Sequence, residues 1–301
     1  MHIKEILETL QANNKSFTVE GSTEEEILGF SSIYNYRLGT LTWLRHLSTL
    51  DELGSKAPVY YSCIITKTGA SRIPNAKCQI RTDDPKDIFF WIIDTFYGKE
   101  KESEISSKAF VEEGALIGKN VSIGAFTSVS SGAVIGDNCR IGSNVTIMGK
   151  VIIGNNVTIQ SGAVIGEDGF AFIKHNNIPS FVKHFGGVTI EDDVSIGSQT
   201  CICRGAIDDT VIKEHAKIDN LCHIAHNVVI GRRSIVIAGT VIMGSVHVGD
   251  DCWIATSMIR DQRCVGDNCV VGMGSVVVKD IPNNTTVAGN PAKPIERKEE
   301  I

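Results

Sequence analysis

An aliphatic side chain recurs at every sixth position from Ile117 to Ile165: Ile117, Ile123, Val129, Ile135, Ile141, Ile147, Ile153, Ile159 and Ile165. Gly118, Gly124, Ser130, Gly136, Gly142, Gly154 and Gly166 follow directly, and Asn, Asp, Ser and Val fill the places between. An amphipathic helix would space its apolar residues at intervals of three and four, and a half-buried strand at two. A period of six fits a parallel β-helix, in which each hexad supplies one short strand and one turn. The aliphatic points inward and stacks on its equivalent in the next coil. The small residue after it is expected to let the backbone turn with positive φ or at little steric cost.

The rhythm returns at Ile190, Ile196 and Ile202, then in a shifted register from Ile212 through Ile218, Ile224, Ile230, Val236, Ile242 and Val248 to Ile254. A last phase holds Ile259, Val265, Val271 and Val277. Together these make roughly two dozen hexads, or about eight coils if three hexads close one triangular turn. Two interruptions break the pattern. EDGFAFIKHNNIPSFVKHFGG, between Gly166 and Val188, has no place in a coil and must loop out, and RGAIDDT, Arg204 to Thr210, makes a smaller bulge. Loops thrown from a rigid scaffold are where binding groups commonly sit.

Residues 1–98 have a different texture and are expected to form a small α/β domain. An amphipathic helix is predicted at Ile3 to Leu10, and strands in EEEILGFSSI, GTLTWL, APVYYSCIIT and KCQIRT. Asp84 is placed to cap a second helix with Pro85 in its first turn; Ile88, Phe89, Ile92, Ile93 and Phe96 share one face and Gly98 stops it. The charged stretch 99–108 reads as a linker, 109–281 as the β-helix, and 282–301 as a tail that closes the last coil.

A net charge of −6 over 301 residues gives no basic character for nucleic acid. No apolar run is long enough to span a membrane, and MHIKEILETL lacks a signal-peptide pattern, so a cytoplasmic location is expected. Nine cysteines are odd in number and form no CxxC pair. They read as small buried hydrophobes in a reducing compartment.

The order of GTLTWL and DPKDIFFWIIDTFY, then hexads, EDGFAF, RGAIDDTVI and KIDNLCHIAHNVVIG resembles the UDP-3-O-acylglucosamine N-acyltransferases of the lipid A pathway. That resemblance covers nearly the whole chain, and IDN with IAHNVVIG is its specific part. It implies a left-handed parallel β-helix behind a small α/β domain that binds nucleotide, three chains side by side, and a site in the cleft between neighbouring prisms. The handedness comes from the family, since the ordinary crossover rule favours the right hand.

Making an amide from a thioester requires a neutral amine, a base for its proton and a donor for the developing oxyanion. Histidine suits the first task because it titrates near neutrality. His226 falls in the IAHN motif, at the bend of its hexad where it is expected to turn outward, and the family match makes it the general base; Asp219 or Asn227 would orient its ring. The resemblance also puts Asp168, Phe170, Phe172 and His184 of the long loop near sugar and acyl chain. His223, His226 and His247 invite a zinc reading like that of the γ-type carbonic anhydrases, but their spacing does not match that family and no metal is expected.

Three departures qualify the resemblance. Gln262 stands where the family has a second active-site histidine; an amide donates a hydrogen bond but carries no proton through a reaction. After LTWL come His46 and Thr49 in place of the family's uracil-holding Asn and Tyr, leaving Trp43 or Tyr34 to stack on a base. The C-terminal GMGSVVVKDIPNNTTVAGNPAK resembles acetyl-CoA-using acetyltransferases of the same fold. Gly272 and Gly274 would there admit a pantetheine arm, and Lys279, Lys293 and Arg297 would meet phosphates. The expected activity is therefore acyl transfer from a thioester, acyl-CoA in preference to acyl carrier protein, to the amine of a nucleotide-linked amino sugar for a surface glycan. Two alternatives stand beside it: lipid A synthesis with acyl carrier protein, and an inert β-helix acting as scaffold or sugar-nucleotide sensor.

Overall fold

The computed structural model describes residues 1–54, 57–98 and 103–296. The chain divides into two compact units on either side of position 101. Of the stretch assigned to a linker, residues 99–102 lie outside the described residues, as does Arg297. Ile105 already pairs in parallel with Ile123, so β-helix pairing starts a few residues before the expected boundary.

The first unit is a five-stranded sheet with helices. Its elements are α1 (Ile3–Ala12), β1 (Thr18–Gly21), β2 (Gly29–Phe30), β3 (Thr40–Trp43), α2 (Ser48–Leu53), β4 (Tyr61–Lys67), β5 (Ala76–Thr82) and α3 (Pro85–Tyr97). The strand order is β1-β5-β4-β3-β2, with β1 antiparallel to β5 and the rest parallel. Asp84 caps α3 by accepting from the amides of Lys86 and Asp87, both at 3.1 Å. Ile88, Phe89 and Ile92 then meet Ile3, Ile6 and Leu10 of α1 over Cys63, Ile65, Cys78 and Ile80. Of the strand expected in EEEILGFSSI only Gly29–Phe30 forms, and β1, exposed along its whole length, is an addition.

The second unit is a parallel β-helix of three faces. The first runs from Leu116–Ile117 to Cys264–Val265, and the second from Ser122–Ile123 to Thr286–Ala288. The third runs from Phe110–Val111 to Val276–Val277. The hexad register is kept face by face: Ile141 pairs with Ile159, and Ile147 with Ile165, then Ile165 with Ile202, Ile202 with Ile224 and Ile224 with Ile242. These residues form one continuous dry column. Burying each Ile contributes about 1.5–3 kcal/mol relative to leaving it exposed.

The turn chemistry differs from the expectation in one respect. Asn120, Asn138, Asn144 and Asn156 carry the positive φ, at 55–59°, and they stand three places after the aliphatic, not directly behind it. Glycine is needed in the earlier place because the next coil lies close. A Cβ on Gly124 would come 2.6 Å from the carbonyl carbon of Gly142, and one on Gly142 would come 2.6 Å from the amide nitrogen of Ser161.

The described part of the C-terminal segment folds back on the last strands. Lys293–Ile295 runs antiparallel to Thr286–Ala288, and the amide of Val276 donates to Gly289 O at 3.0 Å while that of Ala292 donates to Val276 O at 2.9 Å. No helix among the described residues is long and apolar enough to cross a membrane.

Candidate active-site corner

Both interruptions leave the β-helix at one corner. Each lies between a third-face strand and the following first-face strand, Val164–Ile165 to Val188–Ile190 and Cys201–Ile202 to Thr210–Ile212, on consecutive coils. His226 follows at the same corner one coil further, between His223–Ile224 and Val229–Ile230. Gly244 and then Gln262 come next, linked by hydrogen bonds from Ser245 N to His226 O and from Gln262 N to Gly244 O, both 2.9 Å. A column of corner residues therefore carries the loops.

The loops are tied to each other and to His226. The long one is a hairpin, Phe172–His175 against Ile178–Phe181, turned by Asn176 and Asn177, both at positive φ. Its end is fastened to the bulge: Phe185 N donates to Ala206 O, Gly186 N to Gly205 O, and Gly187 N to the Asp209 carboxylate, at 2.8–3.0 Å. Asn227 clamps the bulge in turn. Its Nδ2 donates to Asp208 O at 2.9 Å, its Oδ1 accepts from Ala206 N at 3.0 Å, and its own amide donates to Thr210 Oγ1. Burial pushes the Asp209 carboxyl up, but donors at Lys150, Gly187 and Thr189 outweigh it and hold the group below the ordinary carboxylate range.

Those contacts fix the chemistry of the imidazole. With Nδ2 committed to a carbonyl and Oδ1 to an amide, Asn227 can only accept from His226 Nδ1, 3.1 Å away. In the neutral ring the proton therefore sits on Nδ1 and the lone pair on Nε2, the tautomer a base acting through Nε2 requires. Two glycines keep space around the half-buried ring. A Cβ on Gly244 would come 2.7 Å from His226 Nε2, and one on Gly169 would lie 2.8 Å from His226 Cβ. The Gly244 N–H has no acceptor among the described residues.

His184 stands edge-on to His226, with centroids 5.3 Å apart. Its Nδ1 donates to Val182 O at 2.9 Å, and its buried Nε2 has no partner among the described residues. Rings continue outward from it in contact order Phe181, Phe172 and Phe170, the last 87% exposed. Arg204, at the start of the bulge, pins the foot of the hairpin. It donates to Gly166 O at 2.6 Å and Met148 O at 3.1 Å and pairs with Asp168 at 3.4 Å.

The corner thus gathers His226, Asn227, His184, Asp168, Phe170 and Phe172. Gln262 shares it but is exposed two coils beyond His226, about 10 Å at the usual strand spacing. Asp219 does not join them. It sits at the corner between second and third faces, accepting from the amides of Asn220 at 2.7 Å and Ala238 at 3.1 Å, and so does not orient His226 within one chain. His223 lies on the third face and His247 on the first, both exposed, so the histidine trio does not converge within the chain.

Gly274 is open and at φ +73°, as a close-approach position requires, whereas Gly272 faces Ala288 of the next coil, 3.1 Å from its Cβ. Lys279 and Lys293 are exposed. In the first unit Trp43 is half-buried, 6.4 Å from the Phe89 ring, while Tyr34 and His46 are exposed.

The family pattern described as bacterial transferase hexapeptide (six repeats) matches residues 114–149, 132–167 and 209–244, and that described as hexapeptide repeat of succinyl-transferase matches 264–279. A UDP-3-O-acylglucosamine N-acyltransferase of Methylacidiphilum infernorum (isolate V4) is 38% identical over 301 residues, spanning 92% of this chain and 84% of that protein. One from Caulobacter sp. (strain K31) is 39% identical over 138 residues, and the chain spans only 41% of its length. For the Methylorubrum extorquens (strain PA1) protein that share is 38%.

Among solved structures, the UDP-N-acetylglucosamine acyltransferase of Bacteroides fragilis 9343 superposes with a TM-score of 0.59 at 28% identity, covering 64% of this chain and 74% of that one. The Campylobacter jejuni enzyme gives 0.57 at 27%, with the same coverage. The second unit is a left-handed parallel β-helix, as the resemblance implied. The chain belongs to the UDP-3-O-acylglucosamine N-acyltransferase family.

Proposed function

We propose that the chain transfers an acyl group from a thioester to the amine of a UDP-linked amino sugar, with His226 as general base. One observation carries this reading: the His226 Nε2 lone pair faces a gap kept by Gly169 and Gly244, its tautomer set by Asn227. The neutral amine attacks the thioester carbon, forming the C–N bond while its proton passes to Nε2. The Gly244 N–H is the donor for the oxyanion. Collapse breaks the C–S bond, and the proton moves from His226 to the departing thiolate. The unpartnered His184 Nε2 accepts from a sugar hydroxyl, and the Phe170 and Phe172 rings cover apolar parts of the substrate.

In the first unit, Trp43 and His46 lie at the carboxyl end of a parallel strand, the end at which open α/β sheets bind ligands, which supports nucleotide binding there. Three chains are proposed to assemble, setting the corner in a groove between prisms. Exposed Lys279 and Lys293 and the open Gly274 are the features that favour acyl-CoA as donor. Family membership favours acyl carrier protein.

Purified protein is given UDP-amino sugars with acyl-CoA or acyl carrier protein, and thiol release is followed. His226→Ala should lower kcat by about 10²–10⁴-fold with KM little changed. Full turnover in that variant, or release with neither donor, would overturn the reading.

A further inference from the structure

Cys201 and Cys203 flank the inward-facing Ile202 on the third face, so strand alternation directs both side chains away from the core. His223 is the register partner of Cys201 on the next coil. Their two Sγ atoms and one ring nitrogen all lie within 4.8 Å of one another. The remaining cysteines of the coil interior behave differently. Cys139, Cys222, Cys252 and Cys269 stand two places before an aliphatic and donate to backbone carbonyls of Gly154, Ile237, Gly266 and Pro282. The expectation that all nine are buried holds for Cys203 but fails for Cys264, which is exposed, and in part for the half-buried Cys201.

We propose that Cys201, Cys203 and His223 bind a thiophilic d10 metal ion, Zn²⁺ being the representative case, with a fourth position open to water. Two sulfurs and an imidazole are the donor set such ions prefer over magnesium or calcium. With metal bonds of about 2.3 Å to sulfur and 2.0–2.1 Å to nitrogen, tetrahedral ligand atoms stand about 3.8 Å apart or less. Separations within 4.8 Å therefore need contract by at most about 1 Å, which side-chain rotation supplies outside the close-packed column.

Hydrogen bonds from Cys203 and His223 draw the Cys201 thiol down to about 5, and that bond with Cys201 raises His223. Binding takes both cysteines as thiolates and His223 as the neutral imidazole, and the protons they carry are released to solvent. None of this depends on the acyl-transfer reading. Because Arg204 follows Cys203 directly, occupancy would also stiffen the strand from which the bulge departs.

The test is metal uptake by the reduced full chain. Dialysed against Zn²⁺ it should retain about one equivalent per chain, and Co²⁺ should give a thiolate charge-transfer band. Cys201→Ser, Cys203→Ser and His223→Gln should each weaken Co²⁺ binding by about 10–100-fold or more, the range that even outer-shell changes command. Cys264→Ser, at an exposed thiol on the first face, should change nothing. His223→Gln alters an exposed side chain, so it decides the matter even if Cys203→Ser fails to fold. No uptake by the natural chain, or affinity unmoved in His223→Gln, would overturn the site.

Discussion

Gly142 and Gly244 look interchangeable in the sequence, yet an added methyl would do opposite things to them. At Gly142 it meets the backbone of Ser161, which is locked in the next coil. Gly142→Ala should therefore cost about 1–3 kcal/mol, read as a lowered Tm. At Gly244 it meets the His226 ring, which can swing. Gly244→Ala should leave Tm nearly unchanged and cut kcat by about 10²-fold, the scale of a small misplacement of a reacting group; unchanged kcat would remove Gly244 from the site. His226 itself was legible from its motif. Its orienting partner stayed open between two residues: Asp219 stands seven residues earlier, and at six residues per corner that places it one corner away. Choosing Asn227 required Ala206 and Asp208, which lie in an irregular bulge with no periodicity to read.

Strand and loop elements were legible to the extent that burial imposed a pattern on them. Inward aliphatics fixed nearly every rung, and Asp84 with Pro85 fixed the start of α3. β1 was missed because all four of its residues are exposed, leaving no alternation. The long insertion carries no buried alternation that marks its strands, and its hairpin shows in the sequence only through Asn176-Asn177, which supply the paired positive φ of a tight turn. Its anchor is acid-sensitive. Asp209 is depressed in the folded state, so its stabilising contacts are complete above the unfolded value near 3.8 and are lost as pH falls through the lower folded value. Pepsin cleavage within 170–182 should accelerate over that acid range, and Asp209→Asn should cleave faster at every pH and lose the transition. A variant as resistant as the natural chain would deny Asp209 that role.

At the scale of the whole chain, the hexad count gave the β-helix and the change of texture near residue 98 gave the separate α/β unit, because each follows from composition repeated over many residues. The convergence of both insertions on one corner was hidden. It depends on which strand each break follows, and that emerges only when three faces are tracked together. Each coil touches only its neighbours, so the stack is held rung by rung and not through a shared centre. The antiparallel return of Lys293–Ile295, with its bonds to Val276, acts as a stopper on such a stack. Amide exchange should then leak inward from that tip, reaching Val277 well before Ile224, and uniform exchange would mean the coils open as one block. A catalyst built this way wears from its cap, so its working lifetime is governed by a hairpin several coils away from its base.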